Sequence, residues 1–285
     1  TYPYQRIGAG PDTLMDIANG KHELAQVLKD AKKPMVILGE AAFARPDGKD
    51  ILSAAAKIAA DSGAIAEDWN GFNVLHMAAA RVAGLDLGLV PGKKGLGTAD
   101  MIAAADKGDL DVLYLLGADE SDMPAPETTF VIYQGSHGDK GAHRADLILP
   151  GGAYTEKEGT YANTEGRVQT TARAIFPPGD AREDWTILKA LAVVVGKPLP
   201  FETLQELRSK MYAATPQLAH LDEIEKTDSH PIVQLAGQTA KPSSEPFGLS
   251  IDDYYLSNSI ARASAIMASL SAMRADAEKA TGTDG

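Results

Sequence analysis

None of the 285 residues is cysteine, and that absence closes several chemistries at once. Disulfides, zinc–thiolate centres, thiol nucleophiles and cysteine-held iron–sulfur clusters all need a sulfur that these residues do not supply. The absence fits a reducing compartment. Positive charge is also short, with 27 lysines and arginines against 39 aspartates and glutamates, a net charge of −12. Nucleic acids and anionic membrane surfaces are bound through basic patches, so neither is expected as a direct partner. No apolar run approaches the roughly 20 residues of a membrane-spanning helix. The opening Thr1-Tyr2-Pro3-Tyr4 has no basic stretch and no apolar core, so it is not read as a signal peptide. It reads as the start of a fragment or a processed piece.

What is present is ordinary globular material. Hydrophobic residues make up 44% and charged residues 23%, enough for one large or two moderate domains with a real core. Helical stripes and short apolar runs alternate along the first half. Leu24, Val27, Leu28 and Ala31 share one helical face ahead of Pro34. Pro34 to Gly39 is an unbroken apolar run, as expected of a strand covered on both faces. Ile51, Leu52, Ala55, Ile58 and Ala59 mark the next helix, stopped at Gly63, and a further helix is expected from about Asn73 to Val82. Thr98 is placed to cap a helix carrying Met101, Ile102 and Ala105. Three buried runs follow, at 112–116, 130–133 and 147–149, each closed by glycine within two residues. This alternation predicts an α/β fold with a doubly wound, mostly parallel sheet, followed by C-terminal helices.

Residues 152–171 mix Gly, Thr, Tyr and charge without a period and read as a loop with a short hairpin. Asp180 to Glu183 resembles a capping box before the stripe Trp185, Leu188, Leu191, Ala192 and Val195. A helix is expected over about 202–213. Residues 226–249 read as an extended connection, and Ile260, Ala263, Met267, Leu270 and Arg274 as one last amphipathic helix before a frayed tail at 280–285. The expected divisions are an α/β domain over 1–175, a helical continuation over 176–225, the connection over 226–249, and the C-terminal helix and tail over 250–285.

Candidate chemistry is sparse. Gly92-Lys93-Lys94-Gly95-Leu96-Gly97 precedes a helix N-terminus, where backbone N–H groups bind phosphate. It lacks the Gly-Lys-Ser/Thr of a Walker loop, and its glycine order does not match a dinucleotide fingerprint, so a plain loop is the preferred reading. His137, Asp139 and His143 follow an expected strand, where ligands of parallel sheets bind. As a metal or acid–base group they fit no ligand spacing, and Lys140 and Arg144 oppose a cation. A Gly-rich turn with histidines bonded to backbone is preferred. Glu156, Glu158 and Glu165 stand beside Lys157 and Arg167, which favours ion pairing over paired-carboxylate hydrolysis. Ser62, Ser121 and Ser136 lack a nucleophile-elbow context. No catalytic residue is assigned.

Two adjoining segments carry a family resemblance. Glu156, Glu158-Gly159-Thr160, Asn163 and Glu165-Gly166-Arg167-Val168-Gln169 resemble the E-x-E-G-T-x-x-N-x-E-G-R-x-Q stretch of molybdopterin oxidoreductases. The run YQGSHGDKGAHRAD at 133–146, the stretch at 177–208 and the segment at 250–267 are similar to the large iron–sulfur subunit of respiratory complex I, the NADH:quinone oxidoreductase. The resemblance is strong over about 110–221, visible again from 250, and loose over the first hundred residues. It implies a molybdopterin-oxidoreductase-like domain in a subunit that relays electrons from NADH-reduced flavin towards quinone. It also implies 4Fe–4S and 2Fe–2S clusters in an N-terminal part that is not among these residues, and no molybdenum cofactor. The implied partners are other peripheral-arm subunits, including the NADH-oxidising flavoprotein. The implied location is the cytoplasmic face of a bacterial inner membrane or the mitochondrial matrix side, with the membrane met only through the complex.

The expected role is therefore a non-catalytic scaffold and interaction region. The rival is a fragment of a molybdenum-dependent oxidoreductase such as a formate dehydrogenase, in which Glu165, Gly166 and Arg167 would lie near the pterin. A stand-alone nucleotide-binding domain is a weaker third, since no fingerprint follows any expected strand.

Overall fold

The computed structural model describes residues 3–119, 128–249, 251 and 253–281. Ser121 and the last four residues of the expected tail lie outside this set. The chain forms two compact units, one from Thr1–Ala83, Tyr161–Val168 and His220–Ser250, the other from Gly84–Thr160, Gln169–Ala219 and Ile251–Gly285.

The first unit opens with α1 (Pro11–Ala18) and α2 (Glu23–Asp30). Pro11 starts α1, a position where its missing N–H costs nothing. In α2 the imidazole of His22 accepts the N–H of Leu24. Ala25 is its buried residue, while Val27, expected inside, is exposed. β1 (Val36–Gly39) leads through a 3-10 turn at Glu40–Ala42 into α3 (Gly48–Asp61). Ile51, Ala54, Ala55, Ile58 and Ala59 of α3 are buried, and Gly63 ends the stripe with φ of +76°. Ala18, Ala54 and Ile58 form a core joined by Leu14, Leu28 and Val36.

β2 (Ile65–Ala66) and β3 (Trp69–Asn70) make a small antiparallel pair. β4 (Phe72–Leu75) then runs parallel to β1, with Val36 opposite Phe72 and Leu38 opposite Val74. This corrects the helix expected from Asn73. Four residues are too few to display a period, and pairing with β1 decides their conformation. β1 is covered on one face only, because Ile37 remains half exposed.

The second unit begins with α4 (Arg81–Asp86), which straddles the division, and α5 (Thr98–Asp106). Gly97 is the N-cap of α5 and Thr98 its first residue, so the expected threonine cap is not made. β5 (Val112–Leu116), β6 (Phe130–Gly135) and β7 (Leu147–Pro150) form a parallel sheet in that order, with α6 (Lys140–Arg144) between the last two. Register places Leu116 opposite Gln134 and Gly135 opposite Pro150. Leu113, Leu115, Val131 and Tyr133 pack with Ala105 of α5 and Ala142 of α6. The other face keeps Val112, Leu116 and Phe130 exposed.

β8 (Gly159–Ala162) and β9 (Val168–Thr171) pair as the expected short ribbon. α7 (Asp184–Val194) and α8 (Leu204–Ala214) follow. Asp180 does not cap α7. Glu183 holds the N-cap position and accepts the indole N–H of Trp185 at 2.7 Å. Thr203 caps α8 through the N–H of Glu206.

Two expectations for the C-terminal third are corrected. The stretch read as wholly extended contains α9 (His230–Ala236), which packs on α3 in the first unit. The final amphipathic helix is two helices, α10 (Ser259–Arg262) and α11 (Ala265–Thr281), preceded by a 3-10 turn at Tyr254–Leu256. Ile260, expected inside, is exposed, and Met267 is half-buried. Asn258 caps α10 by accepting the N–H of Ala261. Among the described residues no helix is long and apolar enough to cross a membrane.

Candidate functional site

Open α/β sheets bind their ligands at the carboxyl ends of the parallel strands, so those ends are where a site is sought. In the second unit β5 gives out at Leu116-Gly117, β6 at Gln134-Gly135 and β7 at Pro150-Gly151. The crevice there measures about 160 Å³, below the roughly 300 Å³ at which small-molecule pockets begin.

Its polar groups are spent on one another. The amide of Gln134, fully buried, accepts the hydroxyl of Tyr114 and donates to the Asp184 carboxylate at 2.9 Å. Lys157 pairs with the other oxygen of Asp184. Tyr133 donates to Asp119 at 2.8 Å, and both side chains are buried. Burial, then the hydrogen bond to Asp119 and that residue's charge, push the Tyr133 phenol far above its usual range. Burial and the charge of Asp184 push Tyr114 upward too. Neither phenol is positioned to exchange a proton near neutral pH.

Two glycines make room for this arrangement. A Cβ on Gly135 would collide with the Tyr133 hydroxyl, and one on Gly141 would stand 2.6 Å from the Ala118 carbonyl oxygen. Glycine at 135 and 141 of GSHGDKG is thus demanded by the approach of Tyr133 and of the Ala118 carbonyl.

The candidate metal residues do not converge. Asp139 is taken by an ion pair with Arg262. His137 Nδ1 lies 2.9 Å from the Ser136 hydroxyl, and the exposed His143 contributes its N–H to the carbonyl of Asp139 in the first turn of α6. The expected Gly-rich turn with backbone-bonded histidines is not what is found: His143 lies in α6, and the His137 ring meets the Ser136 hydroxyl. Among the described residues no group of three His, Asp or Glu side chains is placed to hold a metal ion. Glu156 accepts the N–H of Ala153 at 2.9 Å and Glu158 pairs with Arg208 at 3.2 Å, so the two serve structure.

Glu165, Gly166 and Arg167 lie in the turn between β8 and β9. Asn163 accepts the N–H groups of Glu165 and Arg167 at 2.9 and 3.0 Å, and Gly166 takes φ of +84°. That is an Asx turn closed by a residue in the left-handed region, which accounts for asparagine and glycine at these spacings. Arg167 donates to the Asp222 carbonyl.

Sequence reasoning missed the corresponding end of β1 and β4 in the first unit. Glu40, directly after β1, accepts the N–H of Met77 at 2.8 Å and lies 3.4 Å from Arg81. An open groove of about 520 Å³ adjoins it. Arg45 pairs with Asp47 at 2.6 Å and donates to Ser243 at 2.8 Å. The signal for Glu40 was its place one residue past a strand-ending glycine. Apart from Asp47, the partners of Arg45 lie about two hundred residues on, where nothing local signals them.

The molybdopterin oxidoreductase family model matches residues 1–194, and the model for the C-terminal region of the NADH-ubiquinone oxidoreductase G-type subunit matches 223–270. The chain is 41% identical over 277 residues to the mitochondrial NADH dehydrogenase [ubiquinone] iron-sulfur protein 1 of Solanum tuberosum, covering 95% of this chain and 36% of that protein. It is 38% identical to the NADH-ubiquinone oxidoreductase 75 kDa subunit of Reclinomonas americana, covering 96% of the chain and 39% of the relative. It is also 38% identical to the mitochondrial 78 kDa subunit of Neurospora crassa, covering 96% and 36%. The chain therefore spans little more than a third of the length of these relatives.

Proposed function

Because the chain belongs to the molybdopterin oxidoreductase family, with relatives that are large subunits of NADH-ubiquinone oxidoreductase, we propose that it is a scaffold and interaction region of such a subunit and makes or breaks no bond itself. The whole subunit would relay electrons from NADH through iron–sulfur clusters held elsewhere, towards quinone. Its partners would be the other peripheral-arm subunits, the NADH-oxidising flavoprotein among them. It would sit on the cytoplasmic face of a bacterial inner membrane or on the matrix side, reaching the membrane only through the complex.

The family implies a molybdenum–pterin cofactor, and the crevice at the ends of β5, β6 and β7 does not fit one. A cofactor of that size needs several times the 160 Å³ at the ends of β5, β6 and β7. The observation that carries the reading is Gln134, whose amide is fully buried in that crevice and bonded at both its oxygen and its nitrogen. Displacing it would strand the partly buried Tyr114 and Asp184 partners, at about 1–3 kcal/mol for each lost bond. Arg167 has its guanidinium on the Asp222 carbonyl and 3.8 Å from the Glu165 carboxylate of its own turn. The rival reading would place Glu165, Gly166 and Arg167 near the pterin.

The test is metal analysis of the purified full-length protein. Iron is expected, with molybdenum near background. Molybdenum at one equivalent per chain would overturn the reading.

A further inference from the structure

The segment 223–270, matched by the second of the two family models, contributes to both units, residues 223–250 to the first and 251–270 to the second. In each unit, taken by itself, it arrives at the carboxyl end of the parallel strands. In the first, Glu245, Pro246, Gly248 and Leu249 wall the groove beside Glu40. In the second, Ser259 of α10 lines the crevice that holds Gln134. The same geometric relation arises twice, on two sheets, from one stretch of chain.

Each arrival is fastened by an arginine. Arg45 donates to the Ser243 hydroxyl at 2.8 Å, the Glu245 carbonyl at 3.1 Å and the Pro246 carbonyl at 3.3 Å, while its guanidinium carbon lies 5.4 Å from the centre of the Phe247 ring. Asp47 orients that guanidinium and also accepts the N–H of Ser243 at 2.8 Å. Phe247 donates its own N–H to the Ala9 carbonyl at 2.9 Å. In the second unit Arg262 bonds to Asp139 in the GSHGDKG loop and to the Leu256 carbonyl at 3.2 Å. Asp253 accepts the N–H of Tyr255 at 2.9 Å and the hydroxyl of Ser271, pinning the turn ahead of α10 onto α11. Arginine suits both positions, because its fixed fork meets carboxylate and carbonyl acceptors at once.

We infer that residues 243–249 in the first unit and 253–262 in the second act as straps, each walling the position where its own unit's sheet would admit a ligand, with Arg45 and Arg262 as the respective clasps. Such straps rest on the non-catalytic role proposed above and give it a physical basis. In each unit, the position where such a sheet admits a ligand is walled by a later stretch of the same chain. Asp139 thereby gains a role, as the acceptor that receives the second clasp.

The test is hydrogen exchange of the purified protein, comparing the parent with Arg45→Ala and Arg262→Ala. Opening of one clasp is a local event, so exchange should rise roughly tenfold in that clasp's segment while the central strands stay protected. For Arg262→Ala the affected amides are 253–262 and 136–144, with β5 and β6 unchanged. For Arg45→Ala they are 243–249, with β1 and β4 unchanged. The double substitution Asp139→Arg with Arg262→Asp, which reverses the pair, should restore protection at 253–262. Should Arg262→Ala fail to fold, Arg262→Lys keeps the charge without the fork and is read in the same way. Unchanged exchange in the strap overturns the inference. So does an equal rise across β5 and β6, which would make Arg262 a general stabiliser. Molybdenum content is measured separately, so failure of the strap and failure of the non-catalytic reading remain distinct outcomes.

Discussion

Replacing Tyr133 by phenylalanine isolates one buried bond. The ring stays, so its packing against Ala105, Leu113, Leu115 and Val131 is kept. What is lost is the hydroxyl that donates to Asp119 at 2.8 Å, between side chains 1% and 2% exposed. A hydrogen bond to a charged, buried acceptor contributes roughly 1.5–3 kcal/mol, so about 2 kcal/mol is expected here. For a unit of this size each kcal/mol moves the melting midpoint by about 2–4 °C, which puts the fall at roughly 4–8 °C. Calorimetry gives the midpoint, and a cycle with Asp119→Asn gives the coupling. Residues that share a bond should depart from additivity by about 1 kcal/mol or more. A loss below about 0.5 kcal/mol, or additive single effects, would mean that the Tyr133–Asp119 bond does not organise the end of β6.

Three further outcomes follow from other sites. Burial tends to raise the Asp47 carboxyl, but its bonds from Arg45 and from the N–H and hydroxyl of Ser243 outweigh this and hold it at about 2. A lowered folded value means the clasp is fully stabilising above the unfolded carboxylate value near 4 and weakens as pH falls towards about 2. The melting difference between parent and Asp47→Asn should therefore be flat from pH 7 to about 5, then shrink in acid; a difference that grows in acid would refute the sign. Gly166→Ala places a side chain at φ of +84°, at a cost of about 1–2 kcal/mol. Thermal melting checks it, and no loss would mean the turn relaxes freely. Gly141→Val drives a branched side chain against the Ala118 carbonyl and Tyr133 and should cost about 3 kcal/mol or abolish folding, whereas an unchanged midpoint would refute the close approach.

Much of this architecture was legible because local chemistry agreed with it. α3 announced itself through Ile51, Ala55, Ile58 and Ala59 at helical spacing with Gly63 as its stop, and the three apolar runs of the second unit became β5, β6 and β7. β4 was missed because four residues carry no readable period, and only the partner strand fixes their conformation. The break between α10 and α11 was hidden because Ile260, Ala263 and Met267 keep helical spacing across it. The candidate site was legible in its residue types and not in its partners. Asp139 stood out in the sequence, but Arg262 lies 123 positions away, and the Gln134–Asp184 bond spans 50. A fingerprint can be read from neighbours in sequence, whereas a closed crevice depends on which distant groups satisfy one another.

The packing of α9 on α3 has a bearing on how the molecule is made. The first unit opens with residues 1–83 and draws its last piece from 220–250. A ribosome delivers α3 well before α9, and nearly all of the second unit's strands emerge in between. Closing that long loop carries an entropic cost that only contacts formed late repay. Synthesis thus leaves an incomplete first unit waiting at the tunnel mouth for its final helix. The second unit is completed later still, by residues 251–285, so both units are finished only once these late segments have emerged.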